Sequence, residues 1–283
     1  MYYFKPLAPE DVSPRALVQS VMSSVYTTPQ PIGRLISAAA LFDIEPATLR
    51  VAVTRLLKEG LLESPDRGVY RAGPKSRALT RRVQSWKDVA SRVVPWNGDW
   101  LVALTQHLGR TDRRQLRARE RALALSGYQP TEAGFWIRPA NLARSLDDHR
   151  ADLTDLGADD GIILLRAGGV SMPADQDWPS LWSCEALAQS YADATKAMTD
   201  SLARLPDLGP DEAARETLLI GQAVIRTINF DPLLPPELGN QEDFLRMVDT
   251  MVDYNKRGRK CWQAYYSAAE AGMAEDSTGE SAG

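Results

Sequence analysis

Hydrophobic and polar positions repeat with a helical period most clearly in residues 46–60. The apolar side of this segment consists of Leu49, Ala52, Val53, Leu56 and Leu57. The opposite side consists of Thr48, Arg50, Thr54, Arg55 and Lys58. Pro46 suits a first helical turn, and Gly60 suits the left-handed position that ends a helix. The pattern predicts one helix with an apolar face for a protein core and a cationic face for an anion.

Two further amphipathic helices are predicted upstream, over residues 13–26 and 32–42. Only residues 43–45 separate the second of these from Pro46, and such a tight connection is what the two helices of a helix-turn-helix require. Downstream, turn-forming residues divide two short β-type runs, so residues 61–72 predict a basic β-hairpin. A helix-turn-helix followed by a basic hairpin is typical of a winged helix-turn-helix.

We predict an α+β chain of several domains. The winged-helix DNA-binding domain, with a basic connector, is assigned to residues 1–92. A middle domain is predicted at 93–173, with strands at 100–104, 135–137 and 161–166, helices at 111–127 and 147–156, and a further strand at 128–131. This order fits a ferredoxin-like α+β sandwich.

The remainder of the chain has a helical pattern after a linker rich in Gly, Pro and Asp at 168–179. Helices are predicted at 180–204, 211–229 and 241–266, with an apolar, proline-rich loop at 231–238. We therefore predict a helical C-terminal domain at 174–267. Residues 268–283 are rich in Ala, Glu, Gly and Ser, and for them we expect disorder.

Charge is distributed unevenly along the chain. The whole chain carries −4, whereas residues 46–92 contain 11 Lys or Arg against four Asp or Glu, so this segment carries +7 and the rest −11. This asymmetry favours attraction of phosphates to one module. No run approaches the roughly 18 apolar residues of a membrane span, and the first ten residues lack the regions of a signal peptide. We expect a cytoplasmic protein, with Cys184 and Cys261 as reduced thiols.

The predicted DNA contacts follow from this geometry, because a helix can enter the major groove while a wing contacts phosphates. The residues predicted to read bases are Thr48, Arg50 and Thr54. Those predicted to position the DNA backbone are Arg55, Lys58, Arg67, Tyr70 and Arg71, with bracing of the fold as the alternative for Arg55. One module covers too little DNA for a selective site, so we predict a homodimer on an inverted repeat.

An enzyme and a non-DNA interaction scaffold are the alternatives. The chain has no glycine-rich phosphate loop, no nucleophile elbow and no metal-spaced Cys/His cluster, so no cofactor or metal is predicted. His107 and His149 are interpreted as surface or capping residues, and Asp159-Asp160 as a turn and not a nuclease-like metal site. The arginines at 110–121 are interpreted as a solvated helix face, with phosphate binding or a dimer contact as alternatives.

Several motifs in order resemble the PaaX family of bacterial repressors of phenylacetate catabolism. They are residues 50–56 with Gly60 and Leu61, Trp96-Asn-Gly-Asp-Trp100, Gly127-Tyr128, Gly134-Phe-Trp-Ile137 with Pro139, Leu181-Trp182 with Tyr191, and Asp231-Pro-Leu-Leu-Pro235. The resemblance implies a winged-helix reader, a ferredoxin-like (Cas2-like) middle domain, a helical C-terminal domain, a homodimer, and release from DNA by an aryl-CoA thioester. Residues 239–244 depart from the family pattern of a Trp and Gly after the proline-rich loop, which bears on the effector's identity.

An acyl-CoA effector such as phenylacetyl-CoA would need apolar walls and cations for its phosphates. The residues predicted to bind it are Trp182, Tyr191, Arg226, Phe230 and Arg246. Further candidate walls are Trp178, Leu233, Leu234 and Phe244.

Overall fold

The computed structural model describes residues 3–24, 28–76, 85–171 and 177–279 of the 283-residue chain. Within these ranges the protein is an α+β chain with a three-stranded and a four-stranded antiparallel sheet. The chain divides into two compact units, which we name after their sheets. The four-stranded unit comprises Met1–Phe4, Lys87–Ala194 and Arg226–Val248, and the three-stranded unit comprises Lys5–Trp86, Thr195–Ile225 and Asp249–Gly283.

The first part of the three-stranded unit follows the predicted helix and hairpin pattern. Its elements in order are α1 (Pro14–Ser24), β1 (Gln30–Pro31), α2 (Ile32–Ala40), α3 (Pro46–Lys58), β2 (Leu62–Asp66) and β3 (Val69–Ala72). The predicted helices and the hairpin are confirmed as elements. Strand β1 was not predicted; it pairs with β3, giving the sheet order β1-β3-β2.

Helix α3 has the two faces that its sequence predicts. Leu49, Val53 and Leu56 are buried, and they join a core that also contains residues of α1 and α2, such as Leu17 and Leu35. Pro46 opens the helix, and the chain turns out of it at Gly60, whose φ of +73° is easily reached only by glycine. The buried face therefore fixes the helix on its core and leaves the polar face outside.

The four-stranded sheet contains the strands predicted in the middle of the sequence. Its elements in order are β4 (Trp100–Leu104), α4 (Arg113–Leu125), β5 (Gln129–Pro130), β6 (Trp136–Pro139), α5 (Leu146–Asp155) and β7 (Ile163–Ala167). The sheet order is β5-β6-β4-β7, and every neighbouring pair is antiparallel. The strand predicted at 128–131 is confirmed as β5. Leu101, Leu123, Tyr128 and Leu153 are buried in one core beside this sheet.

Three long helices complete the described chain, namely α6 (Cys184–Arg204), α7 (Pro210–Asn229) and α8 (Gln241–Gly279). Helix α8 continues to Gly279, into the segment from residue 268 for which disorder was predicted. Residues 268–276 are mostly Ala, Glu and Met, which extend an existing helix at little cost because nucleation has already occurred.

The two units do not follow the three predicted domains. The boundary predicted between 92 and 93 lies close to the division between Trp86 and Lys87, whereas residues 174–267 are divided between both units. Residues 77–84 of the predicted basic connector and 172–176 of the predicted linker lie outside the described residues. In the part of the chain that the structure describes, no helix is long and apolar enough to cross a membrane.

Candidate functional site

The polar face of α3 is open to solvent along the whole helix. Thr48, Arg50, Thr54, Arg55 and Lys58 are all exposed, as the spacing predicted. Because β2 starts four residues after α3 and contacts it, the hairpin belongs to the same folded unit as this face. The structure thus brings seven of the eight residues predicted to bind DNA onto exposed positions of α3 and the hairpin; these are the five above, Arg67 and Arg71.

The eighth residue, Tyr70, is half-buried and packs against the core of the three-stranded unit. It lies opposite Gln30 in the β1-β3 ladder. Its ring therefore supports the hairpin, which is a structural role that the sequence did not predict because β1 was not recognised.

Ion pairs sort the cations of this surface into two groups. Arg71 pairs with Glu63 across the hairpin, and Arg15 pairs with Glu59 at 2.7 Å. The Arg15 guanidinium also lowers the pKa of the Glu59 carboxyl through its hydrogen bond. Among the described residues, no salt bridge is formed by the remaining cations, which are Arg50, Arg55, Lys58 and Arg67, although the charge of Arg55 helps to lower the pKa of the Glu59 carboxyl. These four are the charges that an anion meets first.

The hairpin tip is held by one side chain. The Ser64 hydroxyl contacts the carbonyl oxygens of Asp66 at 2.6 Å and Val69 at 2.9 Å, across an irregularity in the β2-β3 register. Gly68 has a φ of +74°, and its carbonyl accepts a hydrogen bond from the Ile32 amide at 2.8 Å. These bonds present Arg67 at a defined, exposed turn.

The hydroxyl of Thr54 is not a free donor. It donates to the carbonyl of Arg50 at 2.9 Å, one turn earlier in α3. The oxygen keeps lone pairs for accepting hydrogen bonds, and the methyl group stays exposed with the side chain. Thr54 is thus equipped to accept from a base amino group and to make an apolar contact.

The residues predicted to bind an effector lie in different surroundings. Trp182 is buried in a cluster of tryptophans, stacked on Trp100 with a ring-centroid distance of 6.0 Å, and its Nε1 donates to the Gly127 carbonyl. Arg246 is exposed and pairs with Asp243 at 2.7 Å and Glu242 at 3.1 Å. Arg226 is exposed and Phe230 half-buried. Neither of the two cavities described below is lined by any of these four predicted residues.

Tyr191 is the exception, because it lines a small cavity under the proline-rich loop. Leu233, Leu234 and Phe244, which the sequence also placed among the walls, line the same cavity. The cavity volume is only about 10 Å³, enough for at most one water molecule. The Tyr191 hydroxyl donates to Asp231 at 2.6 Å. Burial raises the pKa of Asp231 to about 6.

Buried polar groups fasten the same loop to the sheet. The Arg138 guanidinium donates to the carbonyls of Ser126 at 2.6 Å and Pro232 at 3.2 Å, and the Asn141 amide donates to the Leu233 carbonyl at 2.7 Å. Desolvation lowers the pKa of Arg138 to about 10. These residues were missed in the sequence, where an arginine in a short strand gives no signal of burial.

An open cleft lies beside this cavity and shares Gly239 and Asn240 with it. Its volume is about 520 Å³, and its remaining lining residues are Pro179, Cys184, Ala188, Glu237 and Leu238. The Cys184 thiol donates to the Leu238 carbonyl at 2.6 Å, which ties the start of α6 to the end of the loop. The sequence signalled the loop but not the cleft, because the contacting residues Cys184 and Leu238 are 54 residues apart along the chain.

Two interpretations of charged residues need correction. Arg119 does not belong to a solvated face: it is 4% exposed and pairs with Asp159 at 2.7 Å, so Asp159 has a structural partner. His149 is neither a surface nor a capping residue. It is buried on α5, and desolvation, followed by the charges of Arg138 and Arg144, lowers its pKa to about 3. His107 is exposed, as predicted, and contacts the Gly161 carbonyl at 2.9 Å.

Comparison with known proteins gives a relative in fold. The chain is similar to the uncharacterized protein Rv0674 from Mycobacterium tuberculosis, with 22% sequence identity, a TM-score of 0.62, and 90% of this chain and 99% of that chain covered. The likeness shows a shared fold and nothing about activity. No family model matches the chain, and no curated protein matches it.

Proposed function

We propose that the protein is a sequence-specific, DNA-binding transcriptional regulator, acting as a repressor of an aromatic or related catabolic pathway in the cytoplasm. The observation that carries the proposal is the surface of α3. It presents Arg50, Arg55 and Lys58 without ion-pair partners among the described residues, on a helix whose other face is buried. A helix of this kind fits the major groove, where long polar side chains reach base edges.

The elements around α3 support a winged helix-turn-helix. The elements follow the order α1-β1-α2-α3-β2-β3, with β3 between β1 and β2. In the proposal, α3 is the recognition helix and the β2-β3 hairpin is the wing. Residues 41–45 separate α2 from α3, and within them Asp43 has a φ of +52°, which gives the sharp change of direction that the motif needs.

We further propose a ferredoxin-like middle domain. Counted from β4, the strands and helices run β-α-β-β-α-β, and the sheet order is second, third, first, fourth. All neighbours are antiparallel, as the split β-α-β arrangement requires. Fold alone assigns no function to this domain, so its proposed role is only that of a scaffold for dimer contacts.

A homodimer bound to an inverted repeat is part of the proposal. Strand β7 lies at one edge of the four-stranded sheet and is paired only with β4 among the described strands. Ile163 at its start is 48% exposed. A two-fold axis at this edge would pair β7 with its copy in antiparallel fashion and cover Ile163, which removes an aggregation-prone edge.

The proposed effector is an acyl-CoA, such as phenylacetyl-CoA or a related thioester. This part of the proposal rests on the resemblance to the PaaX family and on the open cleft at Ala188 and Leu238, whose volume suits an acyl group. The cleft's described lining contains a carboxylate, Glu237, and no cation. The phosphates of the nucleotide would therefore bind outside the cleft.

The DNA-binding proposal is tested by selecting binding sites from random duplex DNA with the full-length protein. We expect an inverted repeat bound about 10³-fold or more above random DNA at the same salt concentration. Arg50→Ala should cost roughly 1–3 kcal/mol on the selected site and relax specificity at one base pair, whereas Lys58→Ala should weaken all DNA alike. Equal losses on selected and random DNA for Arg50→Ala would contradict its role in base reading.

The effector proposal has a separate test. CoA, phenylacetyl-CoA, benzoyl-CoA and aliphatic acyl-CoAs are screened by thermal shift, and each hit is tested for release of the selected DNA. A tenfold release requires about 1.4 kcal/mol of preference for the non-binding state. Ala188→Trp, which fills the cleft, should abolish release and spare DNA affinity, and Ala192→Trp, at an exposed position of the same helix, is the control. If a free acid acts and no thioester does, the effector class is wrong.

A further inference from the structure

The exposed face of α3 contains one feature that phosphate attraction does not explain. Val51 is 50% exposed, and among the large hydrophobic residues exposed in the described chain it is the one that belongs to the three-stranded unit. It is not among the hydrophobic residues that pack against that unit's core. Its isopropyl group therefore meets solvent in the middle of a cationic surface.

A single exposed valine is ordinary on many protein surfaces, so only the position of Val51 on the helix distinguishes it. On a helix, neighbours on the surface are three and four residues apart. Val51 is thus flanked by Thr48 and Ala47 one turn earlier and by Thr54 and Arg55 one turn later, all of them exposed. Together these residues form an apolar strip, made of the Ala47 and Val51 side chains and the threonine methyl groups, between arginines.

Helix formation does not account for valine here. Its β-branched side chain has a lower helix propensity than alanine or the long polar residues. Because Val51 is exposed, hydrophobic burial within the protein does not offset this cost. Each end of the same helix face is polar or small. A partner that contacts this face gives the isopropyl group a role.

We propose that Val51 recognises the 5-methyl group of a thymine in the major groove. This inference rests on the proposed function. The thymine methyl is the apolar group that the major groove displays beside its hydrogen-bond donors and acceptors, and short apolar side chains are the ones that contact it. Val51 has hydrogen-bonding side chains on both sides, so the geometry suits a thymine next to the base pairs contacted by Arg50 and Thr54.

The surroundings favour DNA over a protein partner. Arg50, Arg55 and Lys58 have no ion-pair partner among the described residues, and burying them against a protein would demand a matching set of acids. One valine also supplies little of the apolar core that a protein interface needs. A phosphate backbone satisfies these charges while the groove floor receives Val51.

The experiment uses the full-length protein and the selected site. Each thymine is replaced in turn by deoxyuridine, which removes only the methyl group, and affinity is measured for the wild type, Val51→Ala and Val94→Ala. The wild type should lose about three- to fivefold at one thymine of each half-site, the scale of one buried methyl group. The Val51→Ala variant should bind the thymine and deoxyuridine versions of the site with equal affinity at that position. Val94→Ala, an exposed valine of the four-stranded unit, should behave as wild type.

The outcomes separate this inference from the function beneath it. If a site is selected but the wild type is insensitive to every thymine methyl, or Val51→Ala keeps the wild-type sensitivity, the assignment of Val51 is overturned and DNA recognition stands. Loss of self-association by Val51→Ala with unchanged DNA affinity would assign the residue to a protein contact and overturn the inference equally. If no sequence is selected, the proposed function itself fails.

Discussion

At the scale of single residues, the same side-chain type has two environments on the candidate DNA surface. Arg67 is exposed at the hairpin tip and has no ion-pair partner among the described residues, whereas Arg71 is paired with Glu63. Both were predicted to contact phosphate, and charge alone did not separate them. The ion pair does separate them, because the charge of Glu63 offsets that of Arg71 in the electrostatic field of this surface.

The salt dependence of binding should report this difference. Removing one phosphate contact reduces the slope of log affinity against log salt by about 0.9 on duplex DNA. We expect Arg67→Ala to flatten the slope by about this amount, and Glu63→Gln to steepen it and raise affinity by freeing Arg71. Glu132→Gln, an equal charge change at an exposed position of the four-stranded unit, is the control. The measurement is affinity for random duplex DNA across a salt series. An unchanged slope for both hairpin variants would remove the hairpin from the interface.

Buried His149 makes a prediction about pH. Its pKa is about 3 in the folded protein, and an unfolded histidine ionises near about 6.5. Between these values the unfolded chain binds more protons, so this residue's contribution to stability is complete above about 6.5 and is lost as the pH falls. From pH 7 to pH 5 the loss should be roughly 2 kcal/mol of unfolding free energy.

Urea unfolding of the wild type and His149→Gln at both pH values measures this contribution. Asp231 has the opposite sign: its pKa is raised to about 6, so its linkage weakens the fold as the pH rises through that range. The comparison between the two proteins isolates His149, since Asp231 is present in both. The same pH dependence in both proteins would contradict a neutral, buried imidazole.

What could be predicted at this scale depended on local spacing. The two faces of α3 follow from its period, and the structure confirms the burial of Leu49, Val53 and Leu56. The burial of Arg119 and Arg138 does not follow from any local pattern. Their partners, Asp159 and the Pro232 carbonyl, lie 40 and 94 residues away along the chain. Sequence spacing places a polar residue on a face but does not reveal what will cover it.

At the scale of elements, the same limit explains β1. A two-residue strand that contains Pro31 shows no alternation, and it exists because β3 offers an edge opposite Gln30 and Pro31. The β2-β3 hairpin was predictable because its turn residues are local. The open cleft and the small cavity were not predictable, because both lie where α6 meets the 231–238 loop, and the start of α8 also lines the cavity.

Arg138 joins three elements, because it lies on β6 and donates to the turn after α4 and to the proline-rich loop. Its removal should therefore destabilise the packing of all three. Arg138→Ala would leave the carbonyls of Ser126 and Pro232 buried without these donors, in addition to opening a cavity. We expect a loss of roughly 2–4 kcal/mol in unfolding free energy. Arg166→Ala on β7 of the same sheet is the control, since solvent screens its ion pair with Asp99 and the loss should be much smaller.

Urea denaturation of both variants measures the two losses in unfolding free energy. The fluorescence of the tryptophan cluster around Trp100 and Trp182 follows unfolding near the loop on heating. Similar losses for Arg138→Ala and Arg166→Ala would show that the buried guanidinium does not fasten the loop. A larger loss for Arg138→Ala would show that the buried guanidinium fastens the proline-rich loop to the sheet.

At the scale of the whole molecule, charge and symmetry act together. The segment 46–92 carries +7 and the rest of the chain −11. Under the proposed function, DNA would attract the first part of the chain while the acidic remainder would resist indiscriminate binding. A single winged-helix module covers only about 600–1,000 Å² on DNA, which is small for a selective site. Two modules in one molecule raise the effective concentration of the second after the first has bound.

A substitution at the edge of the four-stranded sheet should therefore abolish the proposed dimer without changing how one protomer binds DNA. We expect the wild type to sediment at micromolar concentration as a species of about 62 kDa, twice the 31.2 kDa of one chain. Ile163→Lys places a charge on the exposed edge of β7 and should give a monomer, because natural sheets use lysine to block edge pairing. It should also weaken binding to the inverted repeat by about 10²-fold or more while a single half-site is bound as before. Leu146→Lys, at an exposed leucine of α5 in the same unit, should remain a dimer.

A wild-type monomer both free and on the selected DNA would refute the proposed homodimer. A dimeric Ile163→Lys protein would show that the dimer interface does not include β7.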